Sequence, residues 1–192
     1  SVQVDTLITG VDIPWEIIYS NDGYIWMTER KGVVSRVNTS TGVREILLDI
    51  TTTVTQQAES GLLGMALHPD FENTPEVFLA YTYTPVSSIK EKIVKYTFNG
   101  TALVNEVVLL DNIDGNGTHN GCRLLFLSDN SLLATTGDVQ NPNLSQSLSS
   151  LNGKILRLNT DGSIPSDNPI SGSYVYSFGF RNTQGLAHLP NN

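Results

Sequence analysis

Short runs of β-branched and aromatic residues, bounded by Gly, Asn, Asp or Pro, recur along this chain. Tyr24-Ile25-Trp26-Met27-Thr28 follows Asn21-Asp22-Gly23, and Val33-Val34-Ser35-Arg36-Val37 follows Gly32. Val77-Phe78-Leu79-Ala80-Tyr81-Thr82-Tyr83 follows a loop around Asn73 to Pro75, and Leu132-Leu133-Ala134-Thr135-Thr136 follows Asp129-Asn130-Ser131. Branched and aromatic side chains suit a pleated surface, and the bounding residues accept turn dihedrals, so the pattern predicts strands joined by hairpins. Helical periodicity is confined to Leu144, Leu148 and Leu151. Their spacing fits one or two helical turns, or equally a loop with buried leucines.

The strands repeat. Gly32-Val33-Val34-Ser35-Arg36-Val37-Asn38 resembles Gly153-Lys154-Ile155-Leu156-Arg157-Leu158-Asn159, with a weaker copy at Lys92-Ile93-Val94-Lys95-Tyr96-Thr97-Phe98. The basic positions Arg36, Lys95 and Arg157 lie 59 and 62 residues apart, which leaves room for about four strands per repeat. A repeating four-stranded antiparallel sheet is a propeller blade, which buries its faces only by stacking on its neighbours. The expectation is an all-β chain, residues 1–192 forming one partial β-propeller domain. Its blades are placed at about 10–50, 60–110 and 120–162, with a fourth beginning at 174–192. Propellers close with about 4–8 blades, and Pro190-Asn191-Asn192 reads as a turn within a blade. About three and a half blades leave an open edge and face, so association with a second half or with another chain is expected.

Composition narrows the partners. The formal charge is −8, which repels phosphate backbones and argues against nucleic acid. Charged residues are 16% of the chain, below the roughly 25% usual for soluble domains; Asn, Ser and Thr supply the polarity instead. No apolar run approaches the ~18 residues needed to span a membrane. With Cys122 the single cysteine, an intrachain disulfide is impossible. The N-x-[ST] triplets at Asn38, Asn99, Asn116 and Asn143 are common by chance in so Asn- and Thr-rich a chain.

Polar residues cluster in three segments: Ala58 to Phe71; His119-Asn120-Gly121-Cys122-Arg123-Leu124 with Thr136-Gly137-Asp138; and Tyr176 to Leu186. His119, between Gly115-Asn116-Gly117-Thr118 and Asn120-Gly121, stands on a loop entering a strand. A loop histidine on a rigid scaffold is a candidate general base, because its pKa lies near neutrality. Asp138 ends a later strand of the same blade, and antiparallel pairing puts it beside His119, where it could fix the imidazole tautomer. On residue chemistry alone, an idle exposed loop histidine and an aspartate turn are the favoured reading. His68, in Leu67-His68-Pro69-Asp70, reads as a turn histidine bonding nearby backbone. The three histidines are too far apart in sequence to suggest a metal site, so no metal ligand is expected within this chain. The run Asp111 to Gly117 lacks the spacing of a calcium loop and reads as a turn. Neither a phosphate-binding glycine loop nor a G-x-S-x-G elbow is present.

Several motifs, in order, resemble the soluble pyrroloquinoline quinone (PQQ)-dependent glucose/sorbosone (aldose sugar) dehydrogenases. They are Val11-Asp12-Ile13-Pro14-Trp15-Glu16, Met27-Thr28-Glu29-Arg30-Lys31-Gly32, Glu59 to Phe71, His119 to Leu124, Thr136-Gly137-Asp138, Gly153 to Gly162, and Arg181-Asn182-Thr183-Gln184-Gly185-Leu186. The resemblance implies the N-terminal half of a six-bladed propeller that oxidises aldoses at C1 to lactones in the periplasm or outside the cell. It implies PQQ as hydride acceptor and calcium as its companion, with most calcium ligands and quinone-gripping basic residues lying beyond residue 192. It implies His119 as the catalytic base, Asp138 as its orienting partner, Arg181 and Asn182 as quinone contacts, and Glu59 on the substrate side. Three positions depart from the family pattern: Phe180 stands for a histidine, Thr183 for a proline and Cys122 for a glycine. Two other functions compete: a non-catalytic extracellular propeller that binds a protein or glycan, and a calcium-dependent propeller lactonase, for which no set of inward acidic ligands is found.

Overall fold

The computed structural model describes residues 2–189. Three antiparallel sheets of four strands make up almost all of its regular structure. The first comprises β1 (Pro14–Tyr19), β2 (Tyr24–Glu29), β3 (Val33–Asn38) and β4 (Arg44–Asp49). The second comprises β5 (Leu62–Leu67), β6 (Glu76–Tyr83), β7 (Lys90–Phe98) and β8 (Leu103–Asp114). The third comprises β9 (Gly121–Phe126), β10 (Leu132–Thr136), β11 (Lys154–Leu158) and β12 (Val175–Phe178). Each sheet is a meander in chain order, and β5 lies against both β1 and β9. The first strand of every sheet thus gathers toward a common axis, as in a β-propeller.

The repeated segments fall on β3, β7 and β11, the third strand of each sheet. Their basic residues pair within their own sheets: Arg36 with Glu45 at 2.7 Å, Lys95 with Glu76 at 2.7 Å, and Arg157 with Asp129 at 2.5 Å.

Of the stretch expected to open a fourth blade, 174–192, Val175–Phe178 instead closes the third. Val175–Phe178 pairs antiparallel with β11. The long connection before it, 159–174, hides that relation; it is pinned by Arg157 to Asp167 at 2.9 Å and by the Tyr174 hydroxyl donating to the Gly162 carbonyl at 2.8 Å. The turn expected at 190–192 lies outside the described residues. The turn expected at 111–117 begins four residues late, because β8 continues to Asp114 and pairs there with Lys90. The leucine-spaced segment forms one short helix, α1 (Pro142–Gln146).

The central sheet is buried on both faces, and β6 shows why its sequence is apolar throughout. Val77, Leu79 and Tyr81 pack toward the first sheet with Trp26 and Val34, while Phe78 and Ala80 pack toward the third with Leu124 and Leu156. Each large side chain so buried contributes about 1.5–3 kcal/mol. The outer faces differ: Ile17, Tyr19 and Ile46 on the first sheet, and Tyr176 and Phe178 on the third, remain exposed. Near the axis, buried Glu16 of β1 pairs with Arg123 of β9. Arg123 also donates to the Gln184 carbonyl at 2.8 Å and lies over the Trp15 ring at 4.3 Å.

The two ends of the sheets are unlike. The hairpins β1–β2, β3–β4, β7–β8 and β9–β10 share one end and are closed by side-chain turns. Asp22, Asn38, Asn99 and Asp129 each accept backbone N–H groups two or three residues ahead, at 2.9–3.0 Å. Two of the N-x-[ST] triplets are these turns. The other end carries the loops 50–61, 115–120 and 137–153, and the segment after β12.

Candidate active site

At the loop end, residues 115–120 lead into β9 and bring His119 over the end of β10. His119 sits at φ +57°, in the left-handed region, which costs a non-glycine residue about 1–2 kcal/mol. The surroundings hold it there. Its carbonyl lies so close to Gly137 that a Cβ at that position would stand 1.7 Å from the oxygen. The same carbonyl accepts the Val139 N–H at 3.2 Å. Asn116 and Asn120 brace the loop through Asn116 N–H to Asn120 Oδ1 at 2.9 Å and Asn120 Nδ2 to the Asn116 carbonyl at 2.8 Å. Glycine at 137 is therefore a packing requirement, and it places the next residue, Asp138, beside the imidazole.

His119 Nδ1 and Asp138 Oδ1 are 2.8 Å apart. A carboxylate only accepts, so Nδ1 carries the proton and the free lone pair lies on Nε2. Asp138 is itself buried and fixed: its Oδ1 accepts the Gln140 N–H at 2.9 Å, and its own N–H donates to the Arg181 carbonyl at 2.8 Å. That backbone bond ties the segment after β12 to the histidine. Asn182 completes the tie, its Oδ1 accepting the Gly121 N–H at 3.0 Å.

Glu59 arrives from the loop between the first and second sheets. Its N–H donates to the Gly117 carbonyl at 2.7 Å. Its Oε2 accepts the His119 backbone N–H at 3.2 Å and stands 3.5 Å from Asn182 Nδ2. The structure therefore brings Glu59, His119, Asp138, Arg181 and Asn182 together from four loops. His119, Asp138, Gln140 and Arg181 line a cavity of about 510 Å³, walled on one side by Pro142 and Ser145 of α1. The Arg181 side chain is exposed and makes no hydrogen bond or ion pair among the described residues. Asn182 does not line this cavity; its Oδ1 faces the Gly121 N–H and its Nδ2 faces Glu59.

Two contributors escape sequence reasoning. Gln140 lines the cavity and donates to Thr118 Oγ1 at 2.7 Å; only its place two residues after Asp138 hints at this. Lys154 is fully buried, and its ammonium donates to the carbonyls of Leu144, Ser145 and Asn152 at 2.8, 3.1 and 2.6 Å. Burial draws its pKa down. It anchors α1, and with it that wall of the cavity. Its position at the head of the β11 repeat gave no such signal. His68, by contrast, is the turn histidine its neighbours imply, its Nδ1 accepting the Asp70 N–H at 3.2 Å. Among the described residues no group of three or more His, Cys, Asp or Glu side chains is arranged to hold a metal ion. No helix among them is long and apolar enough to cross a membrane.

Comparison with known proteins agrees with this architecture. The family described as Glucose / Sorbosone dehydrogenase matches residues 11–192. The quinoprotein glucose dehydrogenase B of Acinetobacter calcoaceticus is 35% identical over 96% of this chain and 45% of its own length. A putative oxidoreductase (glucose dehydrogenase) of Thermus thermophilus superimposes with a TM-score of 0.90 at 34% identity, over 100% of this chain and 59% of that one. The PQQ-bound aldose sugar dehydrogenase of Streptomyces coelicolor does so at 0.86 and 33% identity, over 93% and 54%. The chain spans about half the length of the curated relatives it matches.

Proposed function

The chain belongs to the glucose/sorbosone dehydrogenase family, and from that membership we propose that it carries the proton-accepting part of a site that oxidises aldoses at C1 to lactones with PQQ. The observation that carries this reading is the His119–Asp138 pair, 2.8 Å apart at the rim of a cavity that Arg181 also lines. His119 Nε2 takes the proton of the C1 hydroxyl. Asp138 holds the reactive tautomer and stabilises the imidazolium that results. The C1–H bond breaks with both electrons, and the C1–O bond becomes the lactone carbonyl. When bound, the quinone supplies the hydride acceptor that protein side chains lack.

The residues present fit part of that cofactor. A free guanidinium beside the cavity suits anionic quinone oxygens, as preorganised cationic donors do. One arginine does not balance several carboxylates, so the remaining basic contacts and the calcium ligands belong, on this reading, to chain outside residues 1–192. Glu59, exposed and bonded to the His119 backbone, faces the sugar on this reading. The same reading assigns the protein to the periplasm or the exterior of the cell.

The test is dye reduction with added PQQ, calcium and an aldose panel, in the six-bladed form that the family resemblance implies. His119→Ala lowers turnover by about 10²–10⁴-fold with PQQ binding retained, the range of general-base catalysis. Unchanged turnover removes His119 from the chemistry. The 192-residue chain alone binds PQQ weakly; tight one-to-one binding by titration would overturn the division of the cofactor site.

A further inference from the structure

Glu59 is the only group of the site that comes from the loop joining the first two sheets, and that loop is strained. Ala58, just before it, sits at φ +50°, a conformation that non-glycine side chains resist and that persists only where neighbours enforce it. Serine and threonine hydroxyls hold the loop's ends: Ser60 Oγ accepts the Gln57 N–H at 2.9 Å, and Thr82 Oγ1 accepts the Gly61 N–H at 2.8 Å. The middle is held from the first sheet. Nη2 of Arg30 donates both to the Ala58 carbonyl and to the Ser60 carbonyl, the latter at 3.2 Å. These two carbonyls bracket Glu59. One terminal nitrogen has two N–H bonds, so a single group satisfies both.

The Arg30 main chain is seated as firmly. Its N–H donates to the Ile13 carbonyl at 3.2 Å, and its carbonyl accepts the Leu62 N–H at 2.8 Å. A Cβ on Gly61 would stand 2.3 Å from that carbonyl oxygen, so the loop cannot pack here with any larger residue. Arg30 Nε is buried without a partner. The buried Nε–H is thus left unpaired while both Nη2 bonds go to the loop.

We propose that Arg30 is the positioning residue for Glu59, holding Ala58 in its left-handed conformation so that Glu59 Oε2 meets the His119 N–H and Asn182. Arg30 touches none of the groups that line the cavity. It acts from another sheet, through the loop, on the backbone of the histidine. Its value to catalysis rests on the sugar-oxidation reading above, but the geometry it sets does not.

Amide hydrogen exchange in the chain itself separates the two. The His119 N–H is bonded to a carboxylate oxygen, so losing that bond speeds its exchange by about tenfold. Arg30→Met is expected to do this while the amides paired between β6 and β7 keep their rates. Arg30→Lys, with one compact donor group in place of a planar fork, gives a smaller acceleration. Adding Ala58→Gly to Arg30→Met restores part of the protection, because glycine adopts positive φ without help. Glu59→Gln speeds His119 exchange by itself, and in that background Arg30→Met adds nothing. Unchanged His119 exchange in Arg30→Met overturns the proposal. So does equal acceleration at His119 and in the β6–β7 pair, which marks a merely structural role. If Arg30→Met fails to fold, Arg30→Lys decides by the same ratio. None of these outcomes depends on turnover.

Discussion

The seam between the first and second sheets and the seam between the second and third use alternate residues of the same strands, yet they are packed by different means. The first is aromatic. Trp26 meets Phe71 and Phe98 edge-on at 5.4 and 5.1 Å, and Arg36 lies over Tyr24 and Phe98 at 4.1 and 4.8 Å. The second is mainly aliphatic, built on Leu63, Ile93, Leu124 and Leu156. It also contains Glu91, buried with neither carboxyl oxygen hydrogen-bonded, beside the buried Cys122 thiol. Its backbones approach so closely that a Cβ on Gly64 would stand 1.8 Å from the Cys122 carbonyl oxygen. Buried polar atoms without a hydrogen-bond partner occur at both seams, Trp26 Nε1 and Tyr81 Oη at the first and the Glu91 carboxyl at the second, but only the second seam buries an acid and leads directly into the His119 loop.

Substitutions can break or sharpen this contrast. The largest effect is expected at the aromatic seam: Trp26→Ala loses about 3–5 kcal/mol in denaturant unfolding, with the His119–Asp138 contact intact in the folded fraction. Gly64→Ala at the other seam costs about 1–3 kcal/mol, and the displacement of Cys122 carries into the His119 loop three residues away. A crystal structure or the His119 ring signals would register it. If both variants leave the loop equally undisturbed, the seams do not differ in their reach.

The third effect depends on pH. Burial holds the Glu91 carboxyl well above the ordinary 4.5 of a glutamate. Below that value folded and unfolded chains both keep the proton, and stability is full. Above it the unfolded chain releases a proton that the folded chain retains, so stability falls as pH rises toward the folded pKa. Glu91→Gln removes that slope. It is expected to melt a few degrees above the parent at pH 7 and level with it at pH 4; a constant difference across that range would show that Glu91 does not titrate as described. The smallest effect is spectroscopic and belongs to the aromatic seam. Tyr83 is pushed up to about 12 by burial and by its bond to Asp111. Asp111→Asn moves its absorbance titration back toward 10 and changes stability by no more than about 0.5 kcal/mol. One seam therefore titrates from the acid side, the other only in strong alkali.

Much of this was legible in the chain. Branched and aromatic runs marked the strands, and the Arg36, Lys95 and Arg157 segments marked equivalent strands because each sheet needs the same third strand in the same setting. The fourth blade was misread for a physical reason: β12 has four residues and follows a sixteen-residue connection, so nothing local ties it to β11. The meeting of His119 with Asp138 followed from antiparallel pairing. The grip of Arg30 on the Glu59 loop and that of Lys154 on α1 did not, since both depend on how far a long side chain reaches across packed elements. Sequence spacing carries no measure of that reach.

The separation of the two sheet ends has a practical consequence. Every loop around the cavity leaves from one end, while the opposite hairpins, such as 99–102, are held by their own side chains and touch none of the site. A cysteine or tag engineered there would fix the protein to a solid support with its cavity facing the solution. The single native thiol would not compete for the linker, because Cys122 is fully buried and its pKa is raised, which leaves almost no reactive thiolate.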